Sequence, residues 1–217
     1  MPSKHSYTDK EKAAVYKAMA ERRDMRHFTN EPVDVDVFNR ILNAAHMAPS
    51  VGLMQPWRFI RIADPNIRVE ISKIVDKERE ETAKALNERK DEFLKLKVEG
   101  VLQCAELLVA ALPDKREKHI FGRRTLPQMD MASLSCAIQN MWLAARVEGI
   151  GMGWVSLFDP QALASLLKMP KDSLPIAILC LGQVDIFYEK PMLVQENWAK
   201  ERALEGLIST DYWSNKF

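Results

Sequence analysis

The sequence predicts an α+β fold, an α/β-type sandwich in which helices wrap one central sheet. Two observations carry this. Helix-period segments dominate the chain, and short apolar strands are interspersed among them. The length of 217 residues suits one domain spanning 1–217, and no internal repeat, low-complexity tract or linker divides it.

Thr8-Asp9-Lys10-Glu11 has the spacing of a capping box. Behind it Ala14, Val15, Ala18 and Met19 recur at helical spacing, ending at Arg22-Arg23-Asp24-Met25-Arg26. Asp34 reads as the N-cap of a second helix whose stripe is Val37, Phe38, Ile41, Leu42, Ala44 and Ala45; Pro49 stops it. Trp57–Ala63 alternates in part and reads as a strand closed by Asp64-Pro65-Asn66. Residues 67–100 are charged, helix-favouring and poor in large apolar side chains, and are read as a lid excursion above the core.

Leu107–Leu112 is a buried strand. Met129–Glu148 is apolar nearly all round and reads as a central, buried helix. After Gly149, Gly151 and Gly153 comes the strand Trp154–Leu157, and Asp159-Pro160 opens a short helix. Leu174–Gly182, the longest apolar run, is one buried strand. Residues 183–217 bear aromatics but little periodicity, and are expected to pack on a second subunit.

Composition excludes several classes. Thirty-one basic against 30 acidic side chains leave no surplus to neutralise nucleic acid or an anionic membrane. No apolar run approaches the ~18 residues of a membrane span, and Met1–Lys10 lacks the apolar core of a secretory signal. Cys104, Cys136 and Cys180 are far apart in apolar sequence and read as buried thiols of a reducing cytoplasm. The scattered histidines offer no metal-binding spacing.

Three stretches carry candidate chemistry. Arg22-Arg23-x-x-Arg26 sets three guanidiniums within five residues, enough to surround a phosphate. The same spacing also suits cations at a helix C-terminus. Ala48–Trp57 is a rigid loop with two prolines, where Ser50 and Gln55 offer hydrogen bonds to a polar ligand edge or simply form a turn. Gly149, Gly151 and Gly153 allow backbone to approach a flat ligand. They follow a helix and precede a strand, so they are not a dinucleotide fingerprint. No His/Asp arrangement surrounds Ser156, which argues against a hydrolase triad.

In their order, the arginine cluster, Ala48-Pro49-Ser50 with Gln55-Pro56-Trp57, and the glycine stretch resemble the flavin-dependent nitroreductase superfamily. Within it the likeness is to the branch that makes 5,6-dimethylbenzimidazole. Ala44–Gly52, Lys97–Gly100, Pro127–Asp130, Gln139–Arg146, Gly153–Ser156, Leu181-Gly182 and Arg202–Glu205 carry it. Ordinary members commonly have Ser or Thr where Asp24 stands and often Asn where Leu53 stands. Here the aspartate, an apolar Leu53 and the serine of Trp-Val-Ser are all present.

The resemblance implies a nitroreductase fold with a mixed central sheet, in an intertwined homodimer with FMN at its interface. It implies flavin contacts from Arg22, Arg23, Asp24, Met25, Arg26, Ser50, Gln55, Val98, Ser156 and Arg202, with the arginines on the phosphate and ribityl chain. It implies that reduced FMN is itself the substrate. With O2 the ring system is fragmented, giving 5,6-dimethylbenzimidazole for the cobalamin lower ligand and erythrose 4-phosphate. Asp24 would be the general acid/base, and Ser156 would hydrogen-bond near the flavin N5. A separate NAD(P)H-dependent reductase would supply the reduced flavin. The competing reading is an NAD(P)H-dependent nitroreductase or quinone reductase that retains its FMN.

Overall fold

The computed structural model describes residues 4–213. Among them the chain forms α1 (Asp9–Glu21), α2 (Val35–His46), β1 (Arg58–Arg61), α3 (Pro65–Ala85), α4 (Lys90–Lys95), β2 (Glu106–Leu112), α5 (Met129–Val147), β3 (Gly151–Val155), α6 (Pro160–Leu166), β4 (Leu174–Gly182) and α7 (Met192–Gln195). The strands form one sheet in the order β1-β2-β4-β3, and every ladder is antiparallel. The mixed character expected of the sheet is confined to one parallel bridge, Asp24 to Met152.

Local signals set the helix starts. Thr8 and Glu11 close the capping box reciprocally, the Thr8 N–H donating to Glu11 Oε2 at 2.8 Å. Asp34 and Asp64 accept the first free N–H groups of α2 and α3. Period-2 geometry then divides the apolar residues between the faces of the sheet. Leu108, Ala110, Met152, Leu179 and Leu181 pack with α2 and α5. Leu107, Val109, Val155, Ile178 and Cys180 pack with α3 and α6. Both faces are covered, so β2 and β4 read as continuous apolar runs.

Three expectations change. The first half of α3 is core rather than excursion, since Ile71 and Val75 are fully buried. Ala83, Phe93 and Leu96 instead form a small cluster with Val98 and Trp198, further along the lid segment. Helix α5 buries only one stripe, including Ser133, Ala137, Met141 and Ala145; Met131, Cys136 and Val147 face outward. An all-apolar helix hides in this protomer on one side only. Cys136 is therefore exposed, while Cys104 and Cys180 are buried as expected.

The glycines before Trp154 serve packing within the chain. A Cβ on Gly153 would overlap the Met25 carbonyl oxygen and the Arg26 guanidinium, and one on Gly151 would overlap Val184. They let the Arg22–Arg26 segment lie against β3. We expect Gly153→Ala to cost about 1–3 kcal/mol through overpacking. Urea unfolding that gives wild-type stability would show that this contact yields freely.

Candidate functional site

A cavity of about 580 Å3 opens where the arginine segment, the end of β3, the α4 region and the tail converge. Arg22, Arg23, Asp24 and Arg26 line one side, Trp154 and Ser156 the floor, and Phe93, Leu96, Val98 and Trp198 the apolar cover. Five of these (Arg22, Arg23, Asp24, Arg26 and Ser156) are expected site residues, and Val98 is a sixth. The tail is strapped over the same region. The Tyr188 hydroxyl accepts the Arg26 N–H at 3.3 Å and lies 2.6 Å from His27 Nδ1, while Arg23 donates to the Glu189 carbonyl at 2.7 Å. Arg89 stacks over Trp198 at 3.5 Å, and Trp198 meets Phe93, fastening tail to cover.

The three arginines do different things. Arg26 is buried at 7% exposure; it donates to Asp24 Oδ2 at 2.6 Å and to the Trp154 carbonyl at 2.8 Å. Its donors are committed to the fold. Arg23 gives its terminal nitrogens to the carbonyls of Ala20, Arg22 and Glu189, leaving a buried Nε without a partner. Arg22 lies over the Trp142 ring at 4.5 Å from its centroid and makes no side-chain hydrogen bond among the described residues. Burial pushes the Arg22 guanidinium below its usual pKa, opposed by Asp24. A partly desolvated cation with open donors, next to an orphaned Nε, fits an anionic phosphate.

Asp24 spans the site. Its Oδ1 accepts the Trp154 N–H at 2.9 Å, and its Oδ2 holds Arg26. The side chain keeps 42% exposure and lines the cavity. Burial raises its pKa above the ordinary carboxylate value; Arg26, the Trp154 N–H and Arg22 pull it back only in part. Ser156 is exposed beyond the end of β3 and lines the same cavity as Asp24 and Trp154.

The remaining expected residues lie elsewhere. Met25 is buried and ties its N–H to the Met152 carbonyl at 3.0 Å, a structural role. Ser50 Oγ accepts the Gln55 N–H at 3.0 Å, and Gln55, at φ +46°, lines a separate hollow of about 250 Å3 with Arg58, Lys115 and Lys118. A left-handed backbone at a non-glycine residue marks a constrained loop. Arg202 is exposed outside the cavity, next to lining residue Glu201. Sequence reasoning missed Trp142, Tyr188 and Trp198 as parts of the site. Tyr188 and Trp198 left only the signal of aromatics in a stretch without periodicity, and Trp142 only its place in the Gln139–Arg146 segment that carries the resemblance.

Helices over both faces of this sheet and an arginine-lined recess beside its edge strand define a nitroreductase-type chain; residues 19–183 match the Nitroreductase family, and the chain belongs to it. It is 40% identical over 186 residues to the 5,6-dimethylbenzimidazole synthase of Rhodospirillum rubrum, covering 83% of this chain and 87% of that protein. The 5,6-dimethylbenzimidazole synthase of Rhodobacter capsulatus is 36% identical over 186 residues, at 85% and 90% coverage. Nitroreductase A from Vibrio parahaemolyticus shares the fold with a TM-score of 0.70 at 20% identity, over 93% of this chain and 77% of that one.

The raised Asp24 pKa fixes the sign of a pH effect. The folded state holds this proton more tightly than the unfolded chain, so stability falls as pH rises from the ordinary carboxylate value through the raised one. Asp24→Asn mimics the protonated form. We expect it to be at least as heat-stable as wild type at pH 7, the gap closing as pH drops towards 4. A gap of opposite sign, with wild type the more stable at pH 7, would show that the Arg26 pair outweighs burial.

Proposed function

We propose that this chain consumes reduced FMN and O2, releasing 5,6-dimethylbenzimidazole and erythrose 4-phosphate for the cobalamin lower ligand. The observation that carries the reading is Asp24, a carboxyl group pushed towards its protonated form in the same cavity as Ser156. Breaking the ring system requires proton transfers in addition to those of ordinary flavin cycling, and a carboxyl group held towards its protonated form can serve them. Relatives bearing the synthase name at 33–40% identity support the same reading. When bound, reduced FMN supplies the electrons and the carbon of the product.

The residues divide the work. Arg22 and Arg23 bind the phosphate. Ser156 donates a hydrogen bond near the reacting nitrogen, and Asp24 takes and returns a proton beside it. Phe93, Leu96, Val98 and Trp198 close the cavity against water, so that the oxygen reaction stays coupled to ring cleavage. Residues 67–100 act as the lid through the part that follows Ala83.

The protein is a homodimer in this reading. Met47 and Val147, at 79% and 72% exposure, flank an apolar hollow of about 340 Å3 between α1, α2 and α5. A solvated apolar face of this kind is an interface signal. A second copy there brings Ser50 and Gln55 of one protomer towards the flavin of the other, and residues 202–213, with Arg202, pack on the partner. A separate NAD(P)H-dependent reductase delivers reduced FMN. Among the described residues no helix is long and apolar enough to cross a membrane, and a cytoplasmic setting fits the buried thiols.

The test is anaerobic loading with reduced FMN, admission of O2, and mass spectrometry of the products. Wild type should form 5,6-dimethylbenzimidazole. Asp24→Asn should slow that step by about 10²–10⁴ while oxidised FMN and hydrogen peroxide accumulate. Recovery of all flavin as FMN, with NAD(P)H-driven reduction of nitroaromatics, would establish the reductase reading instead. A second expectation separates the arginines. Arg22→Ala should weaken FMN binding far more than riboflavin binding, whereas Arg26→Ala should weaken both and lower thermal stability. Titration calorimetry that finds both ligands equally affected by Arg22→Ala would remove the phosphate assignment.

A further inference from the structure

Trp142 lies on α5, half-buried, and does not line the cavity. Its indole nevertheless meets both Arg22 and Arg23 and the strand beside them. Nε1 donates to the Met152 carbonyl at 2.9 Å and to the Arg23 carbonyl at 3.1 Å. The Met152 carbonyl also receives the Met25 N–H, so one oxygen joins β3, the arginine segment and α5. The ring face carries the Arg22 guanidinium, and the Trp154 ring lies 6.3 Å away.

The chemistry of this hold matters. A carboxylate partner would fix Arg22 by occupying its N–H donors and cancelling its charge. An aromatic face fixes the cation through the ring quadrupole and leaves all five donors open. The two acidic groups nearest in sequence are committed elsewhere, Glu21 to Arg146 and Lys17 and Asp24 to Arg26 and the Trp154 N–H. The arrangement therefore keeps a desolvated guanidinium in place without neutralising it.

We propose that Trp142 is the positioning residue of the phosphate site: it presents Arg22, with its donors free, to the phosphate of the flavin ligand. This rests on the reading of the cavity as an FMN site. The role acts through Arg22 and through the shape of the Arg22–Arg26 segment, not through contact with the ligand.

The experiment compares FMN and riboflavin binding to wild type, W142F, W142L and R22A by titration calorimetry, with thermal unfolding of each. W142L removes the π face and the donor; it should weaken FMN binding about 3- to 30-fold, the span of a cation–π contact, and riboflavin binding by less than about 2-fold. W142F keeps a π face and loses only the donor, so it should fall between. In the R22A background, W142L should add no further change to the FMN-to-riboflavin ratio. Equal losses for both ligands, in a W142L protein of normal stability, would overturn the proposal, because the indole would then support the cavity as a whole. If W142L does not fold, W142F decides: equal losses of FMN and riboflavin binding there, or a ratio change that persists in R22A, overturn it. Wild type that binds FMN and riboflavin equally overturns the FMN reading itself, a result distinct from failure of the tryptophan role alone.

Discussion

The site depends on one cross-link, Arg26 to Asp24 to β3. Arg26 is nearly devoid of solvent, and a buried guanidinium is tolerated only with its donors satisfied. Asp24 meets one demand at 2.6 Å and the Trp154 carbonyl another at 2.8 Å. Asp24 in turn takes the Trp154 N–H, and its backbone makes the parallel bridge to Met152. Chain leaving α1 is thereby laid along the edge strand of the sheet, which brings Arg22 and Ser156 to one cavity. Gly153 is the concession that lets the two backbones come this close.

From that cross-link follows the division among the arginines. A triplet at this spacing looks uniform in sequence, because each side chain has the same charge and reach. Once the segment is pinned, the positions diverge. Arg26 borders the cavity but spends its Nη2 on Asp24 and the Trp154 carbonyl, and becomes structural. Arg23 spends its terminal nitrogens on carbonyls of the helix end and the tail. Arg22 is left with an aromatic face and open donors. Charge count in the motif therefore overstates the number of cations free for a ligand.

What was legible follows from range. Capping signals act within four residues, so the starts of α1, α2 and α3 could be read directly, as could β4, whose full length is one apolar run. The expectation that Asp24 and Ser156 serve one site was carried by likeness to a family, since nothing local links residues 132 positions apart. Trp142 and Tyr188 were illegible for the same reason: their partners lie across 119 and 162 residues. The outward face of α5 misled because apolar composition records burial somewhere, and a single protomer supplies cover for only one side. The glycines misled because close backbone approach has the same signature whether the visitor is a ligand or Met25.

The electrostatics of the cavity join binding to chemistry. Asp24 is raised by burial against the pull of Arg26, the Trp154 N–H and Arg22. Of these, the Trp154 bond and the Arg26 pair are fixed by the fold, but the Arg22 charge faces the cavity. A phosphate dianion seated on Arg22 cancels that share of the attraction and adds its own repulsion across a poorly screened recess. Both effects favour the protonated carboxyl. In the proposed reading the ligand itself thus moves Asp24 towards the form that can donate, and riboflavin, which lacks the phosphate, leaves that push out. In that reading proton availability at Asp24 is tied to recognition of the phosphate at Arg22.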